Sequence, residues 1–136
     1  MFKINQNYIN SIVNQALKED LKPFGDVTTK LISFKNRINK AKIIAKQSGV
    51  IAGLDFCKAA FKLAGKETIF ISKVKDGSKV KKNNIIAEVK AKTKTILIAE
   101  RTALNFLNHA SGVASSPNQF IQKINKKTKI CCTRKT

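Results

Sequence analysis

Tyr8, Ile9, Ile12, Val13, Ala16 and Leu17 recur at three- and four-residue intervals among polar positions, which predicts an amphipathic helix over residues 6–19. Pro23 and Gly25 end it, and "GDVTTKLIS" reads as a turn into a short extended piece, with Asp26 and Thr28 able to bond nearby backbone groups. In "KAKIIAKQSGVIAG", Ala41, Ile43 and Ala45 alternate with Lys42, Ile44 and Lys46, predicting a half-buried strand that ends at Gly49 or Gly53. The period then changes: Leu54, Ala59 and Leu63, with Cys57, Ala60 and Ala64, follow helical spacing and predict a helix over 54–64 closed by Gly65. "ETIFISKV", "NNIIAEVKA" and "KTILIA" are rich in strand formers, and Asp76-Gly77 marks a turn between the first two, so a small antiparallel sheet is expected. Ala99, Ala103, Phe106, Leu107 and Ala110 share one face and predict a buried helix from about 99 to 110. Pro117 is expected to break the chain, or to open another helix carrying Phe120, Ile121 and Ile124. "KICCTRKT" begins as an apolar strand and ends in adjacent cations, like the first strand of a further unit.

Composition adds a strong charge. The 136 residues suit one hydrophobic core, and 27 basic against 8 acidic residues give a formal charge of +19. Such an excess favours anionic partners, or simply solubility, without choosing among phosphates, carboxylates, nucleic acid and acidic lipid. The lysines recur along most of the chain, and only "KINKKTK" is dense, which argues against a nucleic-acid tail. Eight Phe and one Tyr, most at core-like positions, leave little for stacking on single strands. Cys57, Cys131 and Cys132 form no spaced disulfide framework, and the adjacent pair could bridge only with strain, so a reducing compartment is expected. There is neither a cleavable leader pattern nor a run of 18 apolar residues, which points to a soluble cytoplasmic protein.

The chemistry rests on the rare basic residue. Only three of the 27 cations are arginines: Arg37, Arg101 and Arg134. Arginine alone offers a rigid planar fork for bidentate bonding to a carboxylate or phosphate, so these positions are candidates for a geometric need. Arg37, in the polar connection "FKNRINK", reads as a solvated charge. Arg101 follows Glu100 in the expected first turn of the buried helix, where free amides would add to an anion's attraction; an ion pair with an acidic neighbour is the competing reading. Arg134 and Lys135 follow an expected strand, where parallel sheets present ligand contacts, against the reading of a frayed basic terminus. Glu19, Asp20 and Asp26 lack regular metal-ligand spacing, and His109 has no cysteine arrangement of zinc type around it. Nucleophile elbows and glycine-rich phosphate loops are absent, and Cys131 and Cys132 read as strand core.

Taken together, "ALKEDLKPFGDVTT", "AKIIAKQSGVIAGLDFCKAAF", "VKDGSKVKKNNIIAEV", "ILIAERTALNFLNHASGVAS" and "CCTRKT" resemble the N-terminal portion of the nicotinate-nucleotide pyrophosphorylases, also called quinolinate phosphoribosyltransferases. The blocks E-R-x-A-L-N-x-L, S-G-[IV]-A and T-R-K-T, in this order, carry the likeness. It implies an α+β fold, an N-terminal α/β sandwich over residues 1–112, followed at 113–136 by a connecting helix and the first strand of an α/β barrel whose remainder lies outside the chain. It implies an enzyme of NAD biosynthesis that joins quinolinate to phosphoribosyl pyrophosphate with Mg2+, releasing pyrophosphate and carbon dioxide, and a dimer in which one subunit's sandwich covers the other's barrel. The metal ligands are not expected in this chain. By the same resemblance Arg101 reaches the partner's quinolinate site, and Thr133, Arg134 and Lys135 line the same pocket. Ala91 stands where the family usually has glycine and is expected to alter a turn; Pro117 stands where Thr is usual and is expected to shorten a helix. The alternative is a non-catalytic module that uses the sandwich to hold anions or a partner chain.

Overall fold

The computed structural model describes residues 4–22, 37–121 and 124. Asp26, Cys131, Cys132, Thr133, Arg134 and Lys135, with the expected strand at 129–136, lie outside the described residues.

The first helix, α1 (Gln6–Asp20), starts where the Asn5 side chain accepts the Asn7 amide at 2.8 Å, and it buries Ile9, Val13 and Leu17 on one stripe. Strand β1 (Ile38–Ile44) turns Ile43 inward and Lys40 and Lys42 outward, following the predicted alternation. A two-residue strand, β2 (Gly49–Val50), precedes α2 (Leu54–Ala64), whose bounds match the sequence reading. Then come β3 (Ile69–Ser72), β4 (Lys79–Val80), β5 (Ile85–Lys92) and the long α3 (Thr93–Ile121). Strands β1, β5 and β3 form an antiparallel sheet with β5 in the centre, and β2 pairs with β4 separately. The helices cover one face of the larger sheet. Ala87, Val89 and Ala91 of β5 meet Cys57, Ala60 and Phe61 of α2 and Ala99, Ala103 and Leu107 of α3 in one buried cluster. The result is the expected α/β sandwich.

Small side chains set the spacing between the layers. Ala60, Ala87, Ala99 and Ala103 are all 0% exposed, so backbones approach closely where larger residues would hold them apart. Gly65 belongs to the same pattern. Its backbone is extended (φ −161°), and a Cβ there would fall 2.6 Å from the Thr95 side chain. Gly65 closes α2 as expected, its amide bonding the Phe61 carbonyl, and close contact with α3 gives a further reason for glycine there.

Three expectations are corrected. "KTILIA" is the start of α3, not a strand. Its β-branched residues favour strands only weakly, and Ile96, Ala99 and Ala103 continue the helical stripe that packs on the core, so burial decides. Pro117 neither breaks α3 nor starts a new helix; α3 runs through it to Ile121, past residue 112. The carbonyl deprived of its partner belongs to Val113, which is 62% exposed, so water can satisfy it. Ala91 lies inside β5 opposite Asn39 and is buried, so no turn is altered there.

Asp76-Gly77 does more than turn the chain. Gly53, which precedes α2, sits at φ +91°, and a Cβ on it would crowd the Phe106 carbonyl oxygen at 3.2 Å, so it carries no capping side chain. Asp76 caps α2 instead, its two carboxylate oxygens accepting the Gly53 and Leu54 amides, each at 3.1 Å. A parallel device holds α3 to the chain before α2. Ser111 and Ser115, one helical turn apart, accept the Ala52 and Val50 amides at 3.0 and 2.8 Å. Each serine also donates back to the carbonyl of the same residue. These hydroxyls stand in for a neighbouring strand.

Replacing Asp76 with Ala should lower unfolding free energy by about 1–2 kcal/mol, and Asp76→Asn should recover part of it; denaturant melts of the three proteins would check this. Cys57 is fully buried, and burial pushes its thiol from 9.0 up to about 12. Because the folded value is the higher one, the neutral thiol's contribution is complete below pH 9 and is lost as pH rises toward 12. Ellman's reagent should therefore leave Cys57 unmodified in the native chain at pH 8 and modify it in denaturant, and stability should fall between pH 9 and 11 less steeply in Cys57→Ala.

Candidate functional site

Helical geometry brings the end of α1 to the middle of α3. Val13 and Leu17 are buried, and Asp20, three residues beyond Leu17, falls on the same face, directed at α3. On α3, Thr102 lies three residues after buried Ala99 and is itself 1% exposed. A buried hydroxyl needs a partner, and the Thr102 Oγ1 donates to Asp20 Oδ2 at 2.6 Å. That length is typical of a hydroxyl bonded to an ionised carboxylate. Thr102, Asn105, Phe106 and His109 form one side of a cleft of about 330 Å3, and Ala16, Glu19 and Asp20 form the other. Phe106 is held by stacking on Phe56, with ring centroids 5.3 Å apart.

Arg101 stands beside this cleft and points out of the fold. Its side chain is 79% exposed, and Nε lies 3.8 Å from Asp20 Oδ1. At that distance and exposure the pair contributes on the order of 0–1 kcal/mol. The ion-pair reading of the sequence is thus realised, but loosely. The helix-terminus reading is not: α3 begins at Thr93, so Arg101 lies in its third turn, where the backbone amides are already bonded within the helix. Whatever Arg101 offers an anion comes from its own guanidinium.

The cleft itself does not suit a dicarboxylate, because Glu19 and Asp20 would repel it. An anion gripped by Arg101 must lie on the outer side of the guanidinium. Among the described residues no group of three or more His, Cys, Asp or Glu could hold a metal ion. Glu19 and Asp20 are adjacent, but Asp20 is already committed to Thr102 and Arg101, so these residues do not fit a magnesium site. His109 is exposed at the cleft wall rather than buried in the core. Arg37 is exposed, and its carbonyl accepts both the amide and the hydroxyl of Thr93 at the start of α3, a structural role. The structure therefore brings Asp20 and Arg101 together, while the T-R-K block lies outside the described residues. Thr102 was not singled out by the sequence reading. Its signal was a hydroxyl three residues after Ala99 and next to Ala103 on the buried stripe of α3, where an unpaired oxygen would be costly.

The layered arrangement of helices on a small antiparallel sheet is shared with solved phosphoribosyltransferase-family structures. NadC from Streptococcus pyogenes superposes with a TM-score of 0.85 over 93% of this chain and 46% of that one, at 29% identity. The nicotinate-nucleotide pyrophosphorylase from Francisella tularensis gives 0.81 over 88% and 42%, also at 29% identity. A probable nicotinate-nucleotide pyrophosphorylase (carboxylating) of Methanocaldococcus jannaschii is 36% identical over 134 residues, 96% of this chain and 46% of the relative. Residues 26–111 match the family described as quinolinate phosphoribosyl transferase, N-terminal domain. The chain belongs to the quinolinate phosphoribosyltransferase family and spans under half the length of these relatives. No helix among the described residues is long and apolar enough to cross a membrane.

Proposed function

We propose that this chain is the substrate-gripping N-terminal part of a quinolinate phosphoribosyltransferase, which converts quinolinate and phosphoribosyl pyrophosphate to nicotinate mononucleotide, pyrophosphate and carbon dioxide. The observation that carries this reading is Arg101: a rare arginine in a lysine-rich chain, 79% exposed, paired among the described residues through Nε and set beside an acidic cleft that turns a dianion outward. The names of the relatives supply the substrate class. In the proposed reaction the quinolinate nitrogen forms a bond to the anomeric carbon as pyrophosphate leaves with the bonding electrons. The carbon–carboxylate bond next to that nitrogen then breaks, its electron pair stays on the ring carbon, and a proton takes it up. Arg101 holds a quinolinate carboxylate and orients the ring, and Thr133, Arg134 and Lys135 contribute further donors and charge. An outward-facing Arg101 suits a homodimer in which this sandwich lies over the barrel of a second subunit. Mg2+ belongs to the proposed reaction, where it would neutralise pyrophosphate charge.

The test joins this chain to a family barrel domain and follows carbon dioxide release that depends on both substrates. Arg101→Ala should raise KM for quinolinate at least tenfold while leaving KM for phosphoribosyl pyrophosphate within twofold. Arg101→Lys should fall between, because it keeps the charge and loses the planar fork. Unchanged quinolinate KM in both variants would refute the assignment of Arg101, and quinolinate binding without any turnover would favour a non-catalytic anion-holding module.

A further inference from the structure

Asp20 touches Arg101 and Thr102, two residues that are consecutive in sequence yet differ in burial. Successive residues are displaced by about 100° around a helix, so Thr102 turns inward at 1% exposure and Arg101 outward at 79%. The carboxylate bridges the two. Its Oδ2 accepts the Thr102 hydroxyl at 2.6 Å in a part-buried bond whose donor is 1% exposed, while the Asp20 side chain is 29% exposed. With that oxygen fixed, the carboxylate has little rotational freedom, and Oδ1 is left 3.8 Å from Arg101 Nε.

A guanidinium can meet a carboxylate through its Nε–Nη edge or through its two terminal Nη groups. Asp20 occupies the Nε side. We infer that Asp20 is a positioning residue: locked by Thr102, it takes the Nε side of Arg101, so that the terminal Nη pair is the edge presented to a substrate carboxylate. This rests on the reading of Arg101 as the quinolinate grip. At 3.8 Å the contact is an ion pair rather than a hydrogen bond, so it biases the guanidinium instead of clamping it, and part of the torsional freedom of a long exposed arginine is given up before the ligand arrives.

The inference differs from a simple charge effect in sign. Asp20 carries a negative charge near an incoming dianion, so a purely electrostatic Asp20 would weaken quinolinate binding, and Asp20→Asn would lower KM. A positioning Asp20 predicts the reverse: in the enzyme assembled with a barrel domain, Asp20→Asn raises quinolinate KM about two- to fivefold with kcat within twofold. Thr102→Val should reproduce the effect, and Thr102→Ser, which keeps the hydroxyl, should restore it. A second readout needs no turnover. In the 136-residue chain, the heteronuclear NOE of the Arg101 Nε–H should be measurably higher in the wild type and in Thr102→Ser than in Asp20→Asn and Thr102→Val, with unchanged far-UV circular dichroism showing that each variant folds. An equally ordered Nε–H in Asp20→Asn, or a quinolinate KM that stays the same or falls, would overturn the inference. If Arg101→Ala leaves KM unchanged, the functional reading of Arg101 fails, and the Nε–H measurement still decides whether Asp20 orders the guanidinium.

Discussion

The close approach of α3 to the rest of the molecule is the constraint on which everything else depends. Its inner face is built from Ala99 and Ala103, both without exposure, and from Leu107, so the helix axis lies near α2 and the central strand β5. At the same short separation Gly53 meets the Phe106 carbonyl and Gly65 meets Thr95. Interiors packed to crystal density do not admit an added methyl without a shift. Where apolar contact ends, hydroxyls continue the attachment: Ser111 and Ser115 bond the backbone of Ala52 and Val50, and Thr102 bonds Asp20. One helix thereby fixes α1, α2 and both sheets, and the side chains that leave its outer face inherit that rigidity.

Arg101 gains its significance from this frame. An exposed arginine on an ordinary surface helix is a mobile charge, and the loose pair with Asp20 contributes little to stability. Here its helix is anchored on both sides of the residue, by Ala99 and Ala103 below and by Thr102 to α1. The lysines serve differently. Lys40, Lys42, Lys90 and Lys92 lie on the outer face of the sheet, where Lys40 is opposite Lys90 and Lys42 opposite Glu88. Glu88 is held below the usual carboxylate range, first by its hydrogen bond to Lys73, 3.0 Å away, and then by the charges of Lys73, Lys42 and Lys40. That face carries much of the visible charge but none of the fork geometry that a planar dicarboxylate requires.

The alternation of Ala41, Ile43 and Ala45, the stripe Ile9, Val13 and Leu17, and the bounds of α2 were all legible because a single buried face imposes its period on the sequence directly. "KTILIA" was not, since strand-forming side chains there extend a helical stripe whose value appears only against the sheet. Pro117 was misread for a similar reason: a missing backbone bond matters little where the deprived carbonyl faces water, and exposure is not written in local sequence. Asp76 was recognised as a turn residue, while its role as the cap of a helix more than twenty residues earlier depends on how two connections meet.

The same division runs through the candidate site. Sequence alone determined that Arg101 is exceptional, because eight lysines for every arginine make the choice of a planar cation visible, and that the flanking blocks resemble one enzyme family. Its placement in the third turn of α3, outside the reach of the helix terminus, depended on where the helix begins. The contact of Asp20 with Arg101 and Thr102 joins residues some eighty positions apart. Local patterns record which face of an element is buried, since burial acts on each residue in turn. Which faces meet is settled by packing the whole core at once, and only tertiary structure holds that information.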